Sequence, residues 1–256
     1  MKQTTTILLL LLALTLISAC TSVRVDMPAN RFESPETNGA LLKGHIEPAA
    51  LQGINEVVLV EDYTRRPPRN DTPEFSESDY AYRFSAGIGV LERLDVDLRV
   101  HEESPTMLGV KYQFLGEPRA KEVSSDFKLA VSAGAGAGNR KGSSTDTLFT
   151  QSGQYDVDFL AFDLAVILGY RLTPAILFYG GPFAYWLDAD GEIAQPAAGG
   201  TTYPLDGSGR EFGTNLGVQF DLGPLLIKLE EAWAMAQFGV HKRAHYHTGL
   251  LLGFQW

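Results

Sequence analysis

His241, His245 and His247, with Lys242 and Arg243 among them, are the residue types in this chain best suited to chemistry. Side chains alternate across a strand, so His245 and His247 share one face. Paired imidazoles can hold a metal ion, and a His beside an Asp or Ser can activate water or a nucleophile. No matching partner motif is visible in the sequence, and histidines of a short rim loop are commonly just solvated. No catalytic residue, metal or cofactor is therefore assigned. An enzyme working through these rim histidines stands as an alternative reading.

A second group is charged: Arg83, Asp97, Arg99, Lys111, Lys128, Asp163, Arg171, Lys228 and Glu230. Each alternates with apolar neighbours, which puts all of them on the polar face of their strands. Lining a lumen, they could tune a narrow conduit for small polar solutes. Paired with one another, they would simply make burial tolerable. The third candidate, Ser132-Ala-Gly-Ala-Gly-Ala-Gly-Asn139, superficially looks like a phosphate-binding glycine loop. It lacks a following helix and the Lys-Ser/Thr pair, so it is read as a strand with small inward residues.

Positioning these residues requires strands, because the period from residue 80 onward is two almost everywhere. Tyr80, Tyr82, Phe84, Ala86, Ile88 and Val90 alternate with Ala81, Arg83, Ser85, Gly87 and Gly89. Leu94 to Val100, Leu108 to Phe114, 127–137, 156–171, 211–222, 225–236 and the tail to Trp256 repeat the pattern. Segment 174–187 is aromatic-rich but broken by Gly and Pro, which leaves its facing ambiguous. Turns near 92–94, 172–174 and 222–224 are very short and 116–125 is moderate. The connections at 138–155, 188–210 and 237–244 are mostly longer and polar. Short turns alternating with long loops match the periplasmic turns and external loops of outer-membrane barrels, with the chain's end on the periplasmic side. Asn55 to Tyr63 supplies a further strand and brings the total to about ten, within a range of about eight to twelve. Segment 38–49 could be another.

The fold class expected is therefore all-β, an antiparallel closed transmembrane β-barrel. Aromatic residues near strand ends fit interfacial girdles: Tyr80, Tyr82, Tyr112, Phe114, Tyr170, Tyr185, Trp186, Phe254 and Trp256. Glu231 fits poorly, since an unbroken register puts it on the lipid face; a bulge or an early end to the embedded strand is implied. At about ten strands a lumen filled by side chains is favoured over an open pore.

The ends carry resemblances. Lys2, the apolar run Ile7 to Leu16 and the small residues after it form a secretory signal too short to span a membrane. The junction Ile17-Ser18-Ala19-Cys20 resembles the lipobox of bacterial lipoproteins, which implies cleavage after residue 19 and a lipid on Cys20. Thr21 stands where an Asp would have suggested inner-membrane retention, so delivery to the outer membrane is expected. At the other end Phe254-Gln-Trp256 resembles the C-terminal signal read by the barrel assembly machinery, although Leu251 stands where a Gly would be expected. Gly89-Val-Leu-Glu-Arg-Leu-Asp95 with Val110-Lys-Tyr-Gln-Phe114 is similar to a hairpin of small bacterial outer-membrane proteins. These resemblances imply architecture and location, not activity.

Composition agrees. Cys20 is the single cysteine and excludes an internal disulfide. Removing Lys2 with the signal takes the net charge from -10 to -11, which argues against a nucleic-acid partner. The expected organisation is a signal peptide at 1–19, a lipidated tether at 20–50 and a barrel at 51–256. The expected role is structural, adhesive or narrow-pore transport, with outer-membrane lipids and the barrel-assembly and lipoprotein-sorting machineries as partners. No soluble ligand is indicated. A lipid-anchored soluble β-sandwich with a binding role is the other alternative.

Overall fold

The computed structural model describes residues 22–27, 29–60, 63–65, 67–68, 74–102, 104–121, 124–146, 151–195 and 200–256. The expected signal peptide at 1–19 and the expected lipidation site Cys20 lie outside them. The described residues form eleven strands: β1 (Val23–Met27), β2 (Gly44–Val60), β3 (Glu74–Leu91), β4 (Leu94–His101), β5 (Thr106–Leu115), β6 (Asp126–Asp146), β7 (Gln151–Thr173), β8 (Ile176–Gln195), β9 (Thr201–Leu222), β10 (Leu225–Phe238) and β11 (His241–Gln255). The only helical element among the described residues is a 3₁₀ turn at Arg119–Lys121. Strands β2 to β11 each pair antiparallel with the next, and β11 returns to β2. The result is a closed ring of ten strands. One sheet closing on itself excludes the two-sheet sandwich of the alternative reading.

Alternation decides which face meets what. On β7, Leu160, Phe162, Leu164, Val166, Leu168, Tyr170 and Leu172 all point outward and are exposed, while Ala161, Asp163, Ala165 and Ile167 are buried inside. That outward run is about 40 Å of strand, or about 30 Å of height at the usual barrel tilt, enough to cross a hydrocarbon layer. Strand β11 repeats it with Tyr246, Leu250, Leu252, Phe254 and Trp256 exposed. Such a continuous apolar belt on a closed sheet is what lipid contact requires, since closure pairs backbone groups within the sheet and leaves no open edge.

The turns at 92–93, 174–175 and 223–224, and the longer one through the 3₁₀ turn, gather at one end with Gly44 and Trp256. The opposite end, the crown, is taller than the belt. Polar stretches expected as loops at 138–155 and 188–210 are mostly strand, because β6 and β7 run to Asp146 and from Gln151, and β8 and β9 to Gln195 and from Thr201. Above the belt the outward face turns to water and the apolar side chains move to the inward face, as Ala189, Ile193 and Leu205 show beside exposed Asp188, Asp190 and Glu192, so the ladder persists beyond the lipid-facing run. The connection expected at 237–244 shrinks to Gly239 and Val240 for the same reason. Strand β10 keeps its register from Leu225 to Phe238 without a bulge. Glu231 is accommodated instead by its cross-strand neighbour Thr248, whose hydroxyl donates to the carboxylate at 3.2 Å. The facing of β8 also resolves: Trp186 points outward, whereas Tyr185 is buried in the lumen and belongs to no girdle.

The largest departure from expectation is the N-terminal segment. The barrel wall begins at Gly44, ahead of residue 51, and the stretch read as a tether is not outside the barrel. Strand β1 pairs with the crown half of β2, Val23 opposite Val60 and Met27 opposite Asn55. Residues 29–38 then descend through the lumen and are almost wholly buried. The chain reaches the turn end near Leu41 and re-enters the wall at Gly44, whose N–H donates to the Trp256 carbonyl at 3.3 Å.

Candidate functional site

The lumen is the site, and its lower storey, toward the turn end, is a charge network built around the plug. Inward-facing positions from six wall strands project toward residues 30–36. Arg99 (β4) pairs with Asp163 (β7) at 2.6 Å, with Asp97 at 2.8 Å and with Glu33 of the plug at 2.8 Å. Arg31 adds a second cation to Asp163 at 3.1 Å and one to Glu33 at 3.0 Å. Arg171 (β7) grips Glu36 and Asp221 (2.7 Å for the latter), and Lys128 (β6) reaches Glu36 at 3.1 Å and Asp126 at 2.7 Å. Lys111 (β5) donates to the carbonyls of Ser34 and Glu36 at 3.2 and 2.6 Å. Lys228 (β10) joins Glu47 at 2.8 Å to the Phe32 carbonyl at 2.7 Å.

Phe32 is the point where the plug is held hardest. Its φ of 52° is unusual for a bulky residue, and neighbours fix it from every side. Glu230 accepts the N–H groups of Arg31 and Phe32 at 2.6 and 2.8 Å, and also the Tyr179 hydroxyl at 3.0 Å. Arg83 donates to the Asn30 and Arg31 carbonyls and lies over the Phe32 ring, 6.0 Å from its centroid. The ring itself packs with Leu51, Leu226 and Leu251, over Gly249, where a Cβ would come within 2.3 Å of it.

All nine wall charges singled out from the sequence thus face inward, and each meets a plug group or a wall partner of opposite sign. Six of them are cationic and three anionic, so the set needs further anions. Asp95 and Asp221, which alternation places on the polar face of their strands, supply two of them; Glu33, Glu36 and Glu47, which were not expected there, supply the rest. The glycine-rich stretch serves this network: at Gly134 a Cβ would lie 2.3 Å from Arg99 Nη2 and 2.7 Å from Asp163 Oδ1. Small inward residues make the space for a large ion pair.

The upper storey, toward the crown, is apolar. Val23, Val25 and Met27 of β1 pack against Val57, Leu59, Met107, Phe159, Leu187, Ile193, Leu205 and Phe238 from the surrounding wall. At its margin lie His245 and His247. They share a face of β11, as their spacing requires, with His245 Nδ1 directed at His247 Nε2. Glu211 of β9 stands 2.8 Å from His245 Nε2, a partner two strands away that no sequence motif could have shown. His241, first residue of β11, does not join that group. Phe254 and Trp256 point outward at the turn end, where the Trp256 indole N–H donates to the Leu42 carbonyl at 3.1 Å.

The fold therefore defines a class: a membrane-spanning antiparallel β-barrel with its own N-terminal segment in the lumen. Among solved structures the chain is similar to Ail, the attachment invasion locus protein of Yersinia pestis, at 12% identity over 85% of this chain and 100% of that one, with a TM-score of 0.36. It is similar also to Neisserial surface protein A (11%, 83% and 95%, TM-score 0.34). The outer membrane protease OmpT of Escherichia coli is matched at 9% identity over 93% of this chain and 98% of that one, TM-score 0.41. No protein-family model matches the sequence, and no curated protein matches it.

Proposed function

We propose that this chain is a lipid-anchored outer-membrane barrel whose lumen is closed, and that it acts as a structural or adhesive platform through its crown rather than as a pore. The observation that carries this reading is the plug. Residues 29–38 are buried along the axis and tied to Arg99, Lys111, Lys128, Arg171 and Lys228. A solute path through the lower storey would have to break several buried ion pairs at once, each of which leaves an uncompensated charge behind. The short turns at one end and the tall crown at the other orient the crown toward the outside. Recognition by the barrel assembly machinery would draw on Phe254 and Trp256, which are exposed at the turn end. Lipid on Cys20 would follow from the lipobox-like junction; because Val23 pairs with Val60 at the crown end of β2, this anchor would leave the barrel on its outer side.

The test is electrical. Purified full-length protein, shown to be folded by the mobility difference between unboiled and boiled samples on a detergent gel, is added to planar bilayers. A closed platform gives no steady conductance, and a variant with Glu33 and Glu36 both changed to Gln gives intermittent openings. Stepwise, sustained conductance from the unmodified protein would sink the platform reading and restore narrow-pore transport.

A further inference from the structure

We propose that Glu211, His245 and His247 form a binding site for one divalent transition-metal ion of borderline softness, of which Zn2+ is the type. This site lies on the lumen wall below the crown and is independent of whether the barrel conducts.

Three observations carry it. First, the donor atoms converge: one ligand atom from each of the three side chains lies within 4.8 Å of the other two, and Glu211 and His247 are buried with His245 largely so. His245 turns one ring nitrogen toward Glu211 at 2.8 Å and the other toward His247. One ion draws on a single nitrogen of each ring, so binding it makes the His245 ring give up one of these two contacts, and the carboxylate beside the pair adds the charge that favours a cation. Second, the floor is cleared for an occupant. Between β9 and β11 the inward positions of β10 are Ala232, Ala234 and Ala236, opposite His247, His245 and Arg243 on one side and Asn215, Gly213 and Glu211 on the other. Third, the Tyr185 hydroxyl is buried with no hydrogen-bond partner among the described residues, on the residue directly opposite Glu211 across the β8–β9 ladder. It supplies a further polar group at the edge of the set.

The donor chemistry fixes the class. Two imidazoles and one carboxylate suit Zn2+, Cu2+ or Ni2+; Ca2+ and Mg2+ prefer oxygen alone, and Cu+ prefers sulfur. Three protein ligands leave a coordination position for water or an exogenous group. The location adds a consequence. Strand β11 pairs with β2 only from Thr248 to Gln255, and among the described residues no ladder joins His241–His247 to β2, whose crown half takes β1 instead. A metal bridging β11 to β9 would clamp the half of the closing strand that is laddered on one side only.

The experiment uses untagged full-length protein, folded in detergent and stripped with a chelator. Cobalt(II) is the probe, because its visible bands report coordination number and nitrogen ligation. The expected result is one Co2+ per chain with the intense absorption of a four- or five-coordinate site, displaced by Zn2+. His245→Ala and His247→Ala each weaken binding by more than roughly a hundredfold, beyond what loss of an outer-shell group costs. His241→Ala leaves it unchanged. Gel mobility before boiling shows that each variant is folded. Glu211→Gln, which preserves shape, gives an independent arm if a His variant does not fold, and is expected to lose at least roughly tenfold. Cobalt held no more tightly by the unmodified protein than by Glu211→Gln and the folded His variants overturns the proposal, as does an equal loss in His241→Ala.

Discussion

The two storeys of the lumen hold one continuous segment by opposite physics. Around β1, in the crown half, Val23, Val25 and Met27 fill space among Phe159, Leu187, Ile193 and Phe238. Around Arg31 to Glu36 the wall offers Arg99, Lys111, Lys128, Arg171 and Lys228, each matched to a carboxylate or a carbonyl. Apolar packing is tolerant of sliding and rotation, because its energy follows area. A network of buried charges tolerates neither, because a small displacement leaves ions without partners. The upper storey therefore contributes stability, while the lower one fixes the register of the plug.

The sharpest way to break this comparison is Glu36→Ala. Glu36 is buried and shared by Arg171 and Lys128, with Arg119 Nε at 3.7 Å, so its removal strands several cations at once. Loss of one partner from a buried ion network costs roughly 3–5 kcal/mol. The unboiled, fast-migrating gel species should vanish at much lower temperature than in the unmodified protein. A shift no larger than that of an exposed carboxylate would mean that the lower storey is hydrated and its register unfixed.

Met27→Ala is the matching change above. Met27 is fully buried in the apolar cluster, and a Met→Ala truncation in a core costs roughly 2–5 kcal/mol, less where the site collapses. Its effect should be smaller than that of Glu36→Ala and indifferent to salt, and it should leave bilayer conductance at zero. Openings in Met27→Ala comparable to those after loss of Glu33 and Glu36 would erase the distinction between the storeys.

The wall was legible in the sequence and the plug was not, for a physical reason. Alternation along Tyr80–Val90 or Leu160–Tyr170 reports a strand with lipid on one side whatever the rest of the chain does. Arg31-Phe-Glu-Ser-Pro-Glu36 has no period and is polar, which is equally the signature of a solvated tether. What distinguishes it is complementarity to charges far away in sequence, which no local pattern reports. The crown strands were missed because, above the belt, the outward face becomes polar and only scattered inward residues such as Ala189, Ile193 and Leu205 keep the apolar half of the alternation. The His pair was visible, but Glu211, two strands away, was not.

Gly134 and Gly138 test whether the glycine-rich strand serves the lower network. At Gly134 a methyl group would collide with Arg99 and Asp163, whereas at Gly138 the nearest atom, Pro105 Cα, is 3.4 Å away. Forcing an extra carbon into a filled site costs typically about 1–3 kcal/mol. Gly134→Ala should lower the thermal midpoint of the gel species and Gly138→Ala should leave it in place. Equal effects would show that these glycines answer to strand conformation and not to the ion pair.

The smallest effect is expected outside the lumen altogether. Lys121 lies in the turn after β5, exposed, 2.6 Å from Glu117 and 2.9 Å from Glu92. Hydrogen bonds to Glu117 and Glu92 hold its ammonium above the ordinary lysine range, and the bond from Lys121 holds the Glu92 carboxyl below the ordinary glutamate range. The lysine contribution is complete below its unfolded pKa and is lost as pH rises through the folded one. The glutamate contribution is complete above its unfolded pKa and is lost as pH falls through the folded one. Any stabilisation is thus confined to a window from about pH 5 to about pH 10. Solvent screening makes such pairs weak, and salt makes them weaker. Lys121→Ala should therefore move the gel midpoint barely at low salt and not at all at high salt. A salt-resistant loss approaching that of Glu36→Ala would instead place Lys121 in the same network as the plug, with Glu92 and Glu117 extending the lower storey out through the turn end.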